Sequence, residues 1–81
     1  MEKPKKLYKI GEVMRYSGIG RQTLHNYTVW GLIAEAERTE SGHRLYAEEV
    51  FQKLERIGEL KKQGYKLAQI LELFLEDEPK G

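Results

Sequence analysis

Apolar positions recur along this chain in two rhythms, and the switch between them marks out its elements. Leu7-Tyr8-Lys9-Ile10 alternates, the pattern of a short strand leading into a helix. Ile10, Val13 and Met14 then fall at helical spacing and predict a first helix over 11–16. Ser17-Gly18-Ile19-Gly20 reads as a turn. Gly18 is free to take a positive φ, Ile19 can plug the space between helices, and Gly20 can serve as the next N-cap. Residues 21–30 predict a second helix with Leu24 and Tyr27 on one face. Gly31 is its stop, because glycine after the last turn accepts the left-handed conformation. Leu32-Ile33 returns to the core, and Trp30 is expected to pack beneath Leu32.

The rhythm changes at residue 34. AEAER (34–38) reads as polar linker, and RTESGHRLY (38–46) as a hairpin turning at Ser41-Gly42. On the return strand Arg44 and Tyr46 share one face, His43 and Leu45 the other. Helical spacing resumes over 47–63 with the stripe Val50, Leu54, Ile57, Leu60. Glu48 and Glu49 lie in its first turn and Lys61 and Lys62 in its last, as the helix dipole favours. Gly64 ends it. A last helix over 66–76 carries Leu67, Ile70, Leu71, Phe74 and Leu75 on one side and Leu73 outside that stripe, and Pro79 discourages continuation. The predicted fold is mostly α with a small β-hairpin.

An 81-residue chain makes one small domain. The expected organisation is a basic arm over 1–6, a domain over 7–76 and a tail or linker stub over 77–81. There are no cysteines, so no disulfide framework and no thiolate metal site. No apolar run is long enough to span a bilayer, and MEKPKK lacks the apolar stretch of a signal peptide. A cytoplasmic protein with no membrane partner is expected. Net charge is only +1, but its distribution changes the picture. Residues 1–46 carry eight basic and five acidic side chains, and residues 47–81 carry six basic and eight acidic ones. That predicts a basic front and an acidic back.

Candidate chemistry is confined to the basic half. The two histidines, His25 and His43, fall on different predicted elements, with no Cys, Asp or Glu at metal-ligand spacing. No phosphate-cradling glycine loop or nucleophile elbow is present, and Glu48-Glu49 suits helix N-terminal charge. The chain is expected not to be an enzyme and to need no cofactor. Arg21, Gln22, Thr23, His25 and Asn26 cluster instead at the start of the second helix. Arg can fork to guanine, Gln to adenine, and Thr offers a hydroxyl or a methyl. Tyr27 suits either the core or a hydroxyl contact to phosphate. Arg38 and Arg44, flanking the hairpin, and His43 near its turn suit phosphates. Two helices followed by a basic hairpin form a shape that holds double-stranded DNA.

These residues, taken in order, resemble the DNA-binding domain of the MerR family of transcription regulators. The matching pieces are YKIGEVMRYSGIGRQTLHNY (8–27), GLI (31–33), RTESGHRLY (38–46) and KKQGYKLAQILELF (61–74). The resemblance implies a winged helix-turn-helix followed by two helices, binding promoter DNA as a dimer and often bending or untwisting it. Carried onto this chain, recognition-helix contacts would come from Arg21, Gln22, His25 and Tyr27, and wing contacts from Arg38, His43 and Arg44. The chain also departs from the family pattern. His25-Asn26-Tyr27 stands where the family usually has Arg and two aromatics, which replaces a phosphate-binding Arg by a weaker, pH-dependent group. His43 stands for the wing aromatic. Ala47 and Lys66 stand where capping Ser or Thr is expected, each missing cap costing about 0.5–2 kcal/mol. Family regulators normally continue into a long dimerising helix and an effector-binding region. Residues 77–81 hold neither, so an excised domain or a stand-alone module is implied.

Two other readings follow from the same residues. Short length and a winged-helix plan also suit an excisionase-like architectural or recombination accessory protein. A last helix with apolar surface at Leu73 suits a protein-interaction module that docks through that helix.

Overall fold

Lys9 ends a strand and caps a helix in a single residue. The computed structural model describes residues 6–77, in the order β1 (Leu7–Lys9), α1 (Ile10–Ser17), α2 (Arg21–Val29), β2 (Glu37–Arg38), β3 (Arg44–Ala47), α3 (Glu49–Lys62) and α4 (Leu67–Asp77). The arm expected over 1–6 and the tail over 77–81, with Pro79, therefore lie almost wholly outside the described residues. Glu12 accepts the Lys9 amide at 3.0 Å, and Gln69 accepts the Lys66 amide at 2.9 Å. The third residue of each of these helices thus reaches back to the cap. This is half of a capping box, and it compensates for the missing Ser or Thr at Lys66.

The turn between α1 and α2 is built from Ser17 and Gly18. The Ser17 hydroxyl donates to the Val13 carbonyl at 2.6 Å and accepts the Ile19 amide at 3.1 Å. Gly18, at φ 74°, donates its amide to the Met14 carbonyl and ends α1 in a left-handed cap. At the end of α2, Gly31 sits at φ 84°. Its amide donates to the Thr28 carbonyl, and the Leu32 amide to Tyr27. That pair of bonds is a Schellman closure, and it drops Leu32 and Ile33 into the core, each 1% exposed. Gly64 repeats the device after α3, with its own amide on Lys61 and the Tyr65 amide on Leu60.

The hairpin is part of a three-stranded antiparallel sheet in the order β1-β3-β2. Leu7, Tyr8 and Lys9 pair with Ala47, Tyr46 and Leu45, so the N-terminal strand closes the free edge of β3. The wing loop is wider than a two-residue Ser41-Gly42 turn. The Gly42 amide, at φ 88°, donates to the Thr39 carbonyl, and the Thr39 amide donates to the His43 carbonyl. A tight turn at 41–42 would set Thr39 opposite Arg44; the wider loop sets Arg38 there. Ala47 belongs to β3 and not to the following helix, which starts at Glu49 with no side-chain cap bond.

Sheet and helices share one core. Val13, Leu24, Leu32, Ile33, Tyr46, Ile57 and Ile70 are all less than 2% exposed. Burying each aliphatic side chain of that size is worth about 1.5–3 kcal/mol. The expected stripe Val50, Leu54, Ile57, Leu60 is buried along α3. Two apolar expectations are corrected. On α4, Leu75 is 58% exposed while Leu73 packs against the core. At 3.6 residues per turn Leu75 lies about 140° from the buried Ile70, and Leu73 only about 60°. Trp30 is 47% exposed and does not lie under Leu32. It stands about 120° round α2 from Leu24, and with Leu32, Leu67, Ala68 and Leu71 it lines an open groove of about 350 Å³. Aromatic packing beyond the core centres on Phe51, which meets Tyr8 and Tyr16 edge to face.

Candidate nucleic-acid interface

α2 buries one face and exposes the other. Leu24 and Tyr27 hold it to the core, and Arg21, Gln22, Thr23 and His25 remain exposed. Tyr27, 4% exposed, is a core side chain, and of the eight predicted site residues it is the one not brought to the surface. Gln22 donates to the Asn26 carboxamide oxygen at 3.0 Å, one turn on, which orients its side chain along the helix. The first turn of α2 carries no acidic residue, and Gly20 supplies no side-chain cap. Its leading amides are left to solvent or to an anion.

The wing is attached to this helix at two points. Thr28 donates its hydroxyl to the Leu24 carbonyl at 2.8 Å, and the same oxygen lies 2.9 Å from the Tyr46 hydroxyl. Thr28 has one proton and spends it on Leu24, so Tyr46 is the donor. The second point is Arg44, whose Nη1 lies 3.3 Å from His25 Nδ1. Arginine cannot accept, so Nδ1 is the acceptor and the His25 ring carries its proton outward on Nε2. Arg21, Gln22, His25, His43 and Arg44 come together with Ile10, Gly42 and Tyr46 around a groove of about 390 Å³ between helix and wing. Arg38 and Thr23 stand outside it. The wing tip is ordered by its own hydroxyls, with Thr39 Oγ1 accepting the His43 amide at 3.1 Å and Ser41 Oγ lying 3.2 Å from His43 Nδ1.

Glu35, in the stretch read as linker, is the residue the pattern missed. One carboxylate oxygen accepts from Arg38 Nε at 2.7 Å, and the other lies 2.9 Å from Arg44 Nε. The first contact is a hydrogen bond. The second is an ion pair without hydrogen-bond alignment between two buried atoms that have no other partner. The hydrogen bond from Arg38 holds the Glu35 carboxyl below its ordinary range, helped by the charges of both arginines and opposed by desolvation. The same bond raises the Arg38 guanidinium. Thr28 and Asn26 were likewise not legible as wing and helix organisers. Among the described residues no helix is long and apolar enough to cross a membrane, and no three His, Cys, Asp or Glu cluster to hold a metal.

A helix-turn-helix whose second helix and hairpin enclose one groove, backed by two further helices, is a winged helix-turn-helix. Residues 8–77 match the family model described as "MerR HTH family regulatory protein". The chain belongs to the MerR family and comprises a DNA-binding domain of that family of transcription regulators, which are not enzymes. Among curated relatives, the chain is 41% identical over 63 residues to the nodulation protein NolA of Bradyrhizobium diazoefficiens, covering 78% of this chain and 27% of that protein. It is 35% identical over 67 residues to the mercuric resistance operon regulatory protein of Bacillus cereus, covering 83% and 51%. Among solved structures, a MerR-family regulator from Bacillus cereus superposes with a TM-score of 0.79 at 25% identity, covering 93% of this chain and 56% of that one. The N-terminal part of the multidrug transporter activator of Bacillus subtilis gives 0.79 at 32% identity, covering 90% and 67%. The chain thus spans only about a quarter to a half of the length of these two curated relatives.

Proposed function

We propose that this domain binds duplex DNA sequence-specifically, with α2 in the major groove and the wing along the phosphate backbone. The observation that carries the reading is the convergence of Arg21, Gln22 and His25 from α2 with His43 and Arg44 from the wing around one groove. Arg21 and Gln22, in the first turn of α2, have the donor and acceptor patterns that read guanine and adenine edges. Thr23 adds a hydroxyl beside them. His25 offers its outward N–H to a phosphate, in place of a permanently charged group. The uncapped amides at the start of α2 suit a second phosphate. Arg38, His43 and Arg44 fix register and carry no sequence information.

A single module of this kind buries about 600–1,000 Å² of its own surface, too little for tight binding alone. Two copies on paired half-sites are therefore expected. The test is fluorescence anisotropy with a pool of random duplexes at two salt concentrations, followed by sequencing of the bound fraction. A short enriched motif, with affinity falling as salt rises, supports the reading, and Arg44→Ala should flatten the slope of log K against log salt by about 0.9. Salt-dependent binding without any enriched motif would overturn sequence specificity.

A further inference from the structure

Arg38 and Arg44 are direct cross-strand partners in the wing. Like charges in that position repel and destabilise a strand pair. The Glu35 carboxylate stands between them, with one oxygen on each Nε, at 2.7 and 2.9 Å. Paired guanidinium groups bridged by one anion are what a backbone phosphate would ask of the wing. Here that anion is supplied by the chain itself, from the loop that joins α2 to β2. Glu37 and Glu40 lie on the same segment, so residues 35–46 carry three carboxylates against two arginines. The wing is therefore not a surplus of positive charge waiting for DNA.

We infer that Glu35 is an internal phosphate surrogate: it fills the anion position between Arg38 and Arg44 in the free protein, and duplex DNA must displace it to engage the wing. The inference rests on the DNA-binding reading and adds to it a residue that sets discrimination. A non-specific duplex, gripped only by its phosphates, loses the most from such competition. A site that also satisfies α2 supplies base contacts that offset it. Glu35 thus lowers background binding without touching a base.

Two measurements test this. The first compares wild type with Glu35→Gln on random duplex by anisotropy across salt. The variant should bind more tightly at every salt concentration with nearly the same slope of log K against log salt, because wild type makes the same phosphate contacts once the carboxylate is displaced. In a background with Arg38→Ala and Arg44→Ala, Glu35→Gln should change nothing, because no cation is left to release. A generic loss of negative charge would tighten binding in both backgrounds and overturn the inference, as would equal or weaker binding by the single variant. The second measurement uses the wild-type protein and so does not depend on the variant folding. The Nε–H NMR signals of Arg38 and Arg44 should both move as duplex is added. If the backbone signals of α2 move and these two stay fixed, the carboxylate keeps its grip and the inference fails. Inorganic sulfate separates the two readings. If neither protein binds duplex, yet sulfate shifts the two arginines in Glu35→Gln and not in wild type, the surrogate stands and the DNA reading falls.

Discussion

The Tyr46 hydroxyl offers a sharp test of how the wing is fastened to α2. Tyr46 is fully buried, and its hydroxyl meets Thr28 Oγ1 at 2.9 Å, while Thr28 donates onward to the Leu24 carbonyl at 2.8 Å. Because Tyr46 is the donor, the two ends of the bond are not equivalent. Tyr46→Phe removes the donor and leaves Thr28 still bonded to Leu24, so it should cost about 1 kcal/mol. Thr28→Val keeps the shape but leaves a buried hydroxyl proton with no acceptor, at about 1–3 kcal/mol. The double variant contains neither group. It should be no worse than Thr28→Val alone, with a coupling of about 1 kcal/mol or more between the sites. In a domain this small each kcal/mol moves the midpoint by about 4–8 °C. Thermal melts of the four proteins, followed by circular dichroism and repeated in urea, resolve such differences. If the two single variants cost the same, or the double variant costs their sum, the assignment of donor and acceptor is wrong.

Two glycines should respond in opposite directions to alanine. Gly58, within α3, has nothing within 4 Å of a new Cβ, so Gly58→Ala should stabilise by about 0.5–1 kcal/mol. Gly31 has space too, but sits at φ 84°, so Gly31→Ala should destabilise by about 1–2 kcal/mol; denaturant titration distinguishes the two. The acid limb of stability should report Glu35. Its folded-state pKa lies below the ordinary 4.5, so its contribution is present above that value and disappears as pH falls through the lowered one. A pH series of melts should show that component in wild type and lack it in Glu35→Gln.

Much of this architecture was legible because it depends on local repetition. The stripe along α3 and the glycines at 31 and 64 announce their helices, since one helical face must be apolar and only a left-handed residue closes the end cheaply. The hairpin was visible in RTESGHRLY, but its register was not. One extra loop residue changed which side chain faces Arg44, and the need for Glu35 exists only once Arg38 is there. A lone carboxylate in a polar linker has no periodicity to betray it. The partner of β1 was hidden for a similar reason, because three residues pair with a strand almost forty positions away. Trp30 misled because hydrophobicity alone takes no account of angle. On α2 the core face is already filled by Leu24 and Tyr27, and the next large residue falls at its rim.

The sheet has a consequence for how copies of this domain can meet. Its outer strands are three and two residues long, one of them the charged pair Glu37–Arg38, and its longest strand is covered on both sides. Unpaired backbone along a strand is a standing invitation for another chain to add itself, and here almost none is on offer. Crowding many molecules onto neighbouring stretches of a chromosome therefore carries little risk of strand-to-strand fusion through the wing. Among the described residues, the sheet thus offers little strand backbone through which copies could join.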